Sequence, residues 1–226
     1  MTTSPTAVLV PVRSFDQGKS RLASAVPADQ RRRMLEQMAT VVLDAAAPLP
    51  SAVVTGDPGV ARWAGQAGAL VLDEQGHDLN SVVTTAVAEL ATAGFARVIV
   101  AHGDLPLADD LTWLADASLP DVVVVTDRRD DGTNVLALPS RAGFRFAYGQ
   151  ASSVYHRAEG LRLGLNVATV RDPLLGWDVD VIDDLVLPGS GELPRLRSAS
   201  ARARSRVTSS PQLTHGRAAP SAEPSR

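Results

Sequence analysis

Arg13, Lys19 and Arg21 crowd a short stretch that follows the apolar run Ala7 to Val12. Three cations in a loop at the carboxyl end of a strand can clamp a triphosphate and stabilise a departing pyrophosphate. The same residues also suit an ordinary basic loop. Gly18-Lys19-Ser20 matches the end of a phosphate-cradling P-loop, but that pattern needs glycine five residues before Gly18, where Arg13 stands. Without it the backbone amides cannot curl around phosphate oxygens, so a P-loop is excluded.

Carboxylates supply the opposite charge. Asp104 comes just after the apolar run Val98 to Ala101, where it can hold Mg²⁺ through oxygen or simply cap a turn. Asp178 and Asp180 flank Val179 and share one side of an extended segment, because side chains alternate with period two. Magnesium is commonly held by one or two carboxylates plus nucleotide phosphates. Asp183 and Asp184 follow and are expected to start a helix. Asp178-Val179-Asp180-Val181 also matches the nucleophile motif of haloacid-dehalogenase phosphatases, but there the first Asp opens the fold, and here little follows it.

Two further groups remain open between structural and binding roles. Gly132-Thr133-Asn134 falls in a polar loop expected over residues 127–134. Gly149-Gln150-Ala151-Ser152-Ser153 leads into a helix carrying His156, where free amides and the positive dipole end can bind an anion. A plain serine N-cap gives the same pattern. His156 reads equally as a structural hydrogen-bonding group. Asp78-Leu79-Asn80 opens another helix with the same ambiguity.

Strand and helix patterns alternate along the chain and must bring these residues together. Strands are predicted at Ala7 to Val12, Ala52 to Thr55, Ala69 to Leu72, Val98 to Ala101, Val122 to Val125, Val135 to Leu138 and Leu165 to Val170. Helices are predicted at Pro27 to Ala46, Val60 to Ala67, Asn80 to Ala93, Ser152 to Leu163 and, briefly, around Asp109 to Ala115. This alternation predicts a single α/β domain with a mostly parallel sheet and helices on both faces. Ligands then collect at the carboxyl ends of the strands, in the loops after Val12, Leu72, Ala101 and Val125.

Composition narrows the function. The chain has no cysteine, which removes disulfides, thiolate metal sites and Cys nucleophiles and fits a reducing cytoplasm. Ala7 to Val12 is too short for a signal h-region, and no apolar stretch is long enough for a membrane helix, so neither membrane nor export is expected. Residues 188–226 hold seven of the 22 basic residues and two of the 25 acidic ones, which leaves 15 basic and 23 acidic residues before Pro188, a net of −8. An acidic body argues against a nucleic-acid partner. The stretch 188–226 is rich in Arg, Ser, Ala and Pro and is expected not to fold, leaving residues 1–187 as the working domain.

Taken in order, VPVR with GKSRL, DLNSVVTTA, HGDLPL, DGTNVLAL, YGQASSVYH and DVDVIDDL resemble the guanylyltransferase family of deazaflavin coenzyme F(420) biosynthesis. The resemblance runs over nearly the whole chain up to about Leu187. It implies a nucleotide-diphospho-sugar transferase (GT-A-like) fold, and transfer of GMP from GTP to phosphoenolpyruvate or, alternatively, 2-phospho-L-lactate. It also implies Mg²⁺ as cofactor, and GTP with a small phosphorylated carboxylic acid as partners. The family's metal-binding aspartates fall on Asp104, Asp178 and Asp180, and its phosphoenolpyruvate contacts on Thr133, Gly149 and Ser152. Arg13 stands where the family usually has Lys, and a planar guanidinium does not replace an ammonium contact for contact. Asn80 is where base recognition is expected, and His156 is a candidate for orienting the acid.

The chemistry so implied fits the residue inventory. A phosphate oxygen is already ionised near neutral pH, so attack on the α-phosphorus needs no general base, and no Ser-His-Asp or Cys-His set is visible. Positioning and charge neutralisation then suffice, with Arg13, Lys19 and Arg21 as the cations. A non-catalytic nucleotide-binding module of the same fold is the reading from a different class. Mere binding does not require three separated aspartates as well as a basic loop.

Overall fold

Val8, Leu9 and Val10 are fully buried and form the middle of the first strand. They belong to a computed structural model that describes residues 5–187; the segment 188–226, expected not to fold, lies outside the described residues. The described residues form seven strands and four α-helices: β1 (Thr6–Pro11), α1 (Ala28–Ala46), β2 (Ser51–Thr55), α2 (Pro58–Gln66), β3 (Leu70–Asp73), α3 (Leu79–Thr92), β4 (Arg97–Ala101), β5 (Val122–Thr126), β6 (Thr133–Pro139), α4 (Ser152–Arg162) and β7 (Val167–Val170). They form one sheet in the order β3-β2-β1-β4-β6-β5-β7.

Period-two alternation divides the sheet's side chains between two cores. Val8, Val10, Val53, Ile99, Val123 and Val125 face α1 and α2. Leu9, Val54, Val98, Val100, Val122 and Val124 face the opposite side with Val82, Val83, Val87 and Leu90 of α3. On α1, Leu35, Met38, Ala39, Val42, Leu43 and Ala46 recur at helical spacing and are buried. Leu35, Met38, Val42 and Leu43 each contribute about 1.5–3 kcal/mol by leaving water. On α4, Gly160 lies so close to the sheet that a Cβ would stand 2.7 Å from Val167 and 3.5 Å from Val122. Helices therefore cover both faces, as the alternating pattern requires.

One strand runs against the rest. β6 is antiparallel to both β4 and β5, while the other neighbouring pairs are parallel. The connection from β5 to β6 spans only residues 127–132, too short for a parallel crossover. The beginning of β6 thus lies at the same end of the sheet as the carboxyl ends of β1, β4 and β5. Thr133 and Asn134, expected in a loop, are strand residues and buried, because strand pairing extends to them. The short helix expected near Asp109 is a 3-10 turn, Thr112–Ala115. Among the described residues no helix is long and apolar enough to cross a membrane.

Candidate active site

The loop after β1 is the first wall of the site, and three contacts set its course. Ser14 Oγ donates to Asp57 Oδ2 at 2.8 Å, while Asp57 Oδ1 caps α2 by accepting from the Gly59 and Val60 amides. Arg31 of α1 donates to the Gly18 carbonyl at 3.1 Å. Lys19 adopts a left-handed backbone (φ 52°), an unfavourable state for a side-chain-bearing residue. Its ammonium reaches across the sheet and hydrogen-bonds both Asp104, just past β4, and Asp180 Oδ1, the latter at 2.5 Å. Burial pulls the Lys19 pKa down, but the charges and hydrogen bonds of the two carboxylates outweigh it and hold the pKa above the usual lysine value.

The segment carrying Asp178 and Asp180 has no regular structure and is held by side chains instead. Asn134 Nδ2 donates to the Leu175 carbonyl at 3.0 Å, and the Arg128 amide donates to the Gly176 carbonyl at 2.8 Å. Only glycine fits at 176, because a Cβ there would stand 2.5 Å from the Asp172 carbonyl oxygen. The Val179 amide donates to the Asp104 carbonyl, which ties the two acidic loops together directly. Val179 itself is buried in the core, leaving Asp178 and Asp180 beside the cavity.

Asp184 anchors the far end of this segment. It is fully buried and accepts the amides of Asp180 (2.7 Å) and Val181 (2.9 Å), along with ion pairs from Arg128 and Arg129. Burial opposes its ionisation, but Arg128 and the two amides prevail and lower its pKa to about 2. The Arg128 guanidinium also stacks on Trp177, 4.2 Å from the ring centroid. As a helix-starting aspartate Asp184 attracted no functional reading, and no local pattern marks its arginine partners more than 50 residues away.

The opposite wall is built by α4 and the turn before it. Gly149 has φ 127°, a region that favours glycine, and Ala151 turns left-handed at φ 56° as the helix N-cap. Neither the serine cap nor the free helical amides expected there is present. The Ser152 amide donates to the Gly149 carbonyl and the Ser153 amide to the Asp131 carbonyl, so the first turn is already satisfied. The hydroxyl of Ser153 also bonds the Asp130 carbonyl at 3.1 Å, docking α4 on the β5–β6 loop.

A cavity of about 610 Å³ lies between these walls. Arg13, Lys19, Arg21, Asp104, Thr133, Gly149, Ser152, Asp178 and Asp180 all line it. Asn80 and His156 do not. Asn80 instead exchanges hydrogen bonds with the Tyr148 backbone, accepting its amide at 2.6 Å, so its amide group braces the wall. His156 is fully buried behind Thr133. Arg13 and Arg21 are exposed and make no ion pair among the described residues, so they are free to meet an anion. The loop after Leu72 does not reach the cavity; Leu79, the first residue of α3, does. His102 and Tyr148, which sequence reasoning passed over, also line the cavity with rings 5.2 Å apart.

The carboxylates are short of positive charge. Asp104 Oδ1 and Asp178 Oδ1 are buried without a hydrogen-bond partner. Burial and the neighbouring Asp104 charge raise the Asp178 pKa above its ordinary value. At Asp104 burial acts in the same direction, but the Lys19 charge prevails and lowers the pKa. Oxygen atoms of this kind are the donors that hard divalent cations accept. Among the described residues, however, no group of three or more His, Cys, Asp or Glu side chains could hold such an ion unaided.

Comparison with known proteins gives the family and the fold type. The family described as "Guanylyl transferase CofC like" matches residues 6–195. The phosphoenolpyruvate guanylyltransferase of Chloroflexus aggregans is 33% identical over 184 residues, covering 76% of this chain and 91% of that protein. The 2-phospho-L-lactate guanylyltransferase of Methanothermobacter thermautotrophicus is also 33% identical, over 82% of this chain and 86% of its own. In fold, the chain is similar to a crystal structure from Desulfovibrio desulfuricans G20 named for the nucleotide-diphospho-sugar transferases. That match has a TM-score of 0.64 at 19% identity, over 89% of this chain and 91% of that one. With a cationic first loop, convergent aspartates and a family match over most of its length, the chain belongs to the CofC-like guanylyl transferase family.

Proposed function

We propose that this protein transfers the guanylyl group of GTP to phosphoenolpyruvate, releasing pyrophosphate, as the step of coenzyme F(420) assembly that the resemblance implies. The observation that carries the reading is the meeting of Lys19 with Asp104 and Asp180 in one cavity, faced by the free guanidinium groups of Arg13 and Arg21. An ionised phosphate oxygen of the acid attacks the α-phosphorus, a new P–O bond forms, and the bond from Pα to the bridging oxygen breaks. Pyrophosphate leaves with the electron pair. The nucleophile arrives deprotonated, so the site need only align the reactants and neutralise charge on the leaving group.

Arg13, Lys19 and Arg21, which all line the cavity, supply that neutralisation. Asp104, Asp178 and Asp180 would hold Mg²⁺ only together with phosphate oxygens of the nucleotide, the unpartnered Asp104 and Asp178 oxygens being the donors that suit it. Magnesium, when bound, neutralises phosphate charge and helps to orient the nucleotide. Thr133, Gly149 and Ser152 form the wall we assign to the acid. Asn80 is assigned to bracing this wall, because its amide is taken up by Tyr148.

2-Phospho-L-lactate is the second acceptor reading, favoured by a relative of that name at the same 33% identity as the phosphoenolpyruvate enzyme. The deciding experiment incubates the full chain and magnesium with a matrix of nucleotides and phosphorylated acids, and reads product mass and pyrophosphate. Product with GTP and phosphoenolpyruvate is expected. Product with 2-phospho-L-lactate alone would move the assignment to that acid, and GTP binding without turnover on any acid would leave a nucleotide-binding module.

A further inference from the structure

Both ring nitrogens of His156 are engaged, and the two bonds determine the tautomer. Nε2 lies 3.0 Å from the Ala147 amide, and Nδ1 lies 3.0 Å from Thr133 Oγ1. A backbone N–H can only donate, so Nε2 offers its lone pair and the neutral imidazole carries its proton on Nδ1. That proton occupies a lone pair of the Thr133 hydroxyl. The hydroxyl's own hydrogen then has no acceptor among the described residues, and Thr133 lines the cavity. Burial, with a smaller contribution from His102, lowers the His156 pKa to about 4, so the ring stays neutral in this arrangement near neutral pH.

We infer that His156 is a positioning residue that orients the Thr133 hydroxyl so that its hydrogen is offered to an anionic oxygen of the acid acceptor. A lone threonine hydroxyl can donate or accept. With one lone pair fixed by Nδ1–H and its hydrogen unspent, it is set to donate, and the strongest partners for that hydrogen are carboxylate or phosphate oxygens. The same ring holds Ala147, two residues before Gly149, so one buried side chain sets both the strand side and the turn side of this wall. The inference rests on the guanylyl-transfer reading and adds to it the means by which the acid is selected.

Asparagine and glutamine separate the two functions of the ring. The asparagine amide nitrogen takes the place of Nδ1, and the glutamine amide oxygen takes that of Nε2. In steady-state assays with GTP and phosphoenolpyruvate, His156→Gln is expected to raise the KM for the acid about tenfold and to leave the KM for GTP unchanged. His156→Asn is expected to recover most of that loss. Thr133→Val should match His156→Gln, and the double variant should lose no more than either single one. Additive losses, or equal losses in the Asn and Gln variants that merely track their melting temperatures, would overturn the inference. Thr133→Ser, which keeps the hydroxyl, carries the same test if the valine variant fails to fold: its KM should stay near wild type, and a tenfold rise would count against the inference. A wild-type chain that transfers guanylyl to neither acid would sink the functional reading first, and this inference with it.

Discussion

The ammonium of Lys19 lies 2.5 Å from Oδ1 of Asp180, a residue 161 positions further along the chain, and it bonds Asp104 as well. A single cation thus joins the loop after β1 to two separate acidic segments. Asp104→Asn or Asp180→Asn removes one negative charge while leaving Lys19 its other partner. Magnesium-dependent pyrophosphate release is expected to fall at least about 100-fold in each. The thermal midpoint should move little, which separates lost chemistry from lost fold. A wild-type rate in either variant would refute the role given to that carboxylate.

Asp184 makes a contrasting case, because it does not itself line the cavity. Asp184→Ala leaves the Asp180 and Val181 amides and two guanidinium groups without their acceptor. The expected loss is about 3 kcal/mol, at the low end for a broken buried pair because the arginines keep part of their hydration. It would appear as a lower urea midpoint. Turnover should fall too, as the Asp178–Asp180 segment loses its anchor; an unchanged midpoint would remove Asp184 from that role.

Ser152 is buried at the base of the turn that begins at Gly149. If this wall receives the acid, Ser152→Ala should raise the KM for phosphoenolpyruvate about tenfold with little change for GTP. Initial rates with each substrate varied in turn provide the check. Equal losses for both would place the acid elsewhere.

Glu159 offers a test by pH. Its carboxylate accepts two bonds from Arg162 and three from Arg145, one of them from the Arg145 amide, and Arg162 above all lowers its pKa to about 2. A depressed carboxylate stabilises the fold above its unfolded pKa and loses that contribution as pH falls toward its folded pKa. Glu159→Gln should therefore be less stable than wild type at pH 6, with the gap closing between about pH 4.5 and 2. Thermal melts of both proteins across that window measure it. A gap that stays constant would show that the charge contributes nothing.

Local pattern was enough for most of the elements. The Val122 to Val125 run and the Leu35-Met38-Ala39-Val42 spacing each point to one kind of structure, because burial imposes period two on strands and about 3.6 on helices. The direction of β6 was not legible in this way. A strand's residue pattern is the same for parallel and antiparallel pairing, and only the short 127–132 connection distinguishes them. The turn before α4 is open in sequence between a serine cap and an anion site of free amides, and neither forms: Ala151 holds the capping position, and the Ser152 and Ser153 amides find carbonyl partners at Gly149 and Asp131.

By itself, the order of residues determined an α/β fold, the absence of cysteine chemistry and a set of chemically suitable side chains, and its resemblance to a known family implied the nucleotide-diphospho-sugar transferase type. Folding decided which of them meet. Asp104 and Asp180 share Lys19, Thr133 faces the cavity with His156 behind it, and Asn80 is turned to bracing Tyr148. The reason is physical: period and propensity are properties of neighbouring residues. Which charges pair across 85 or 161 positions depends on how the sheet brings its loops to one end.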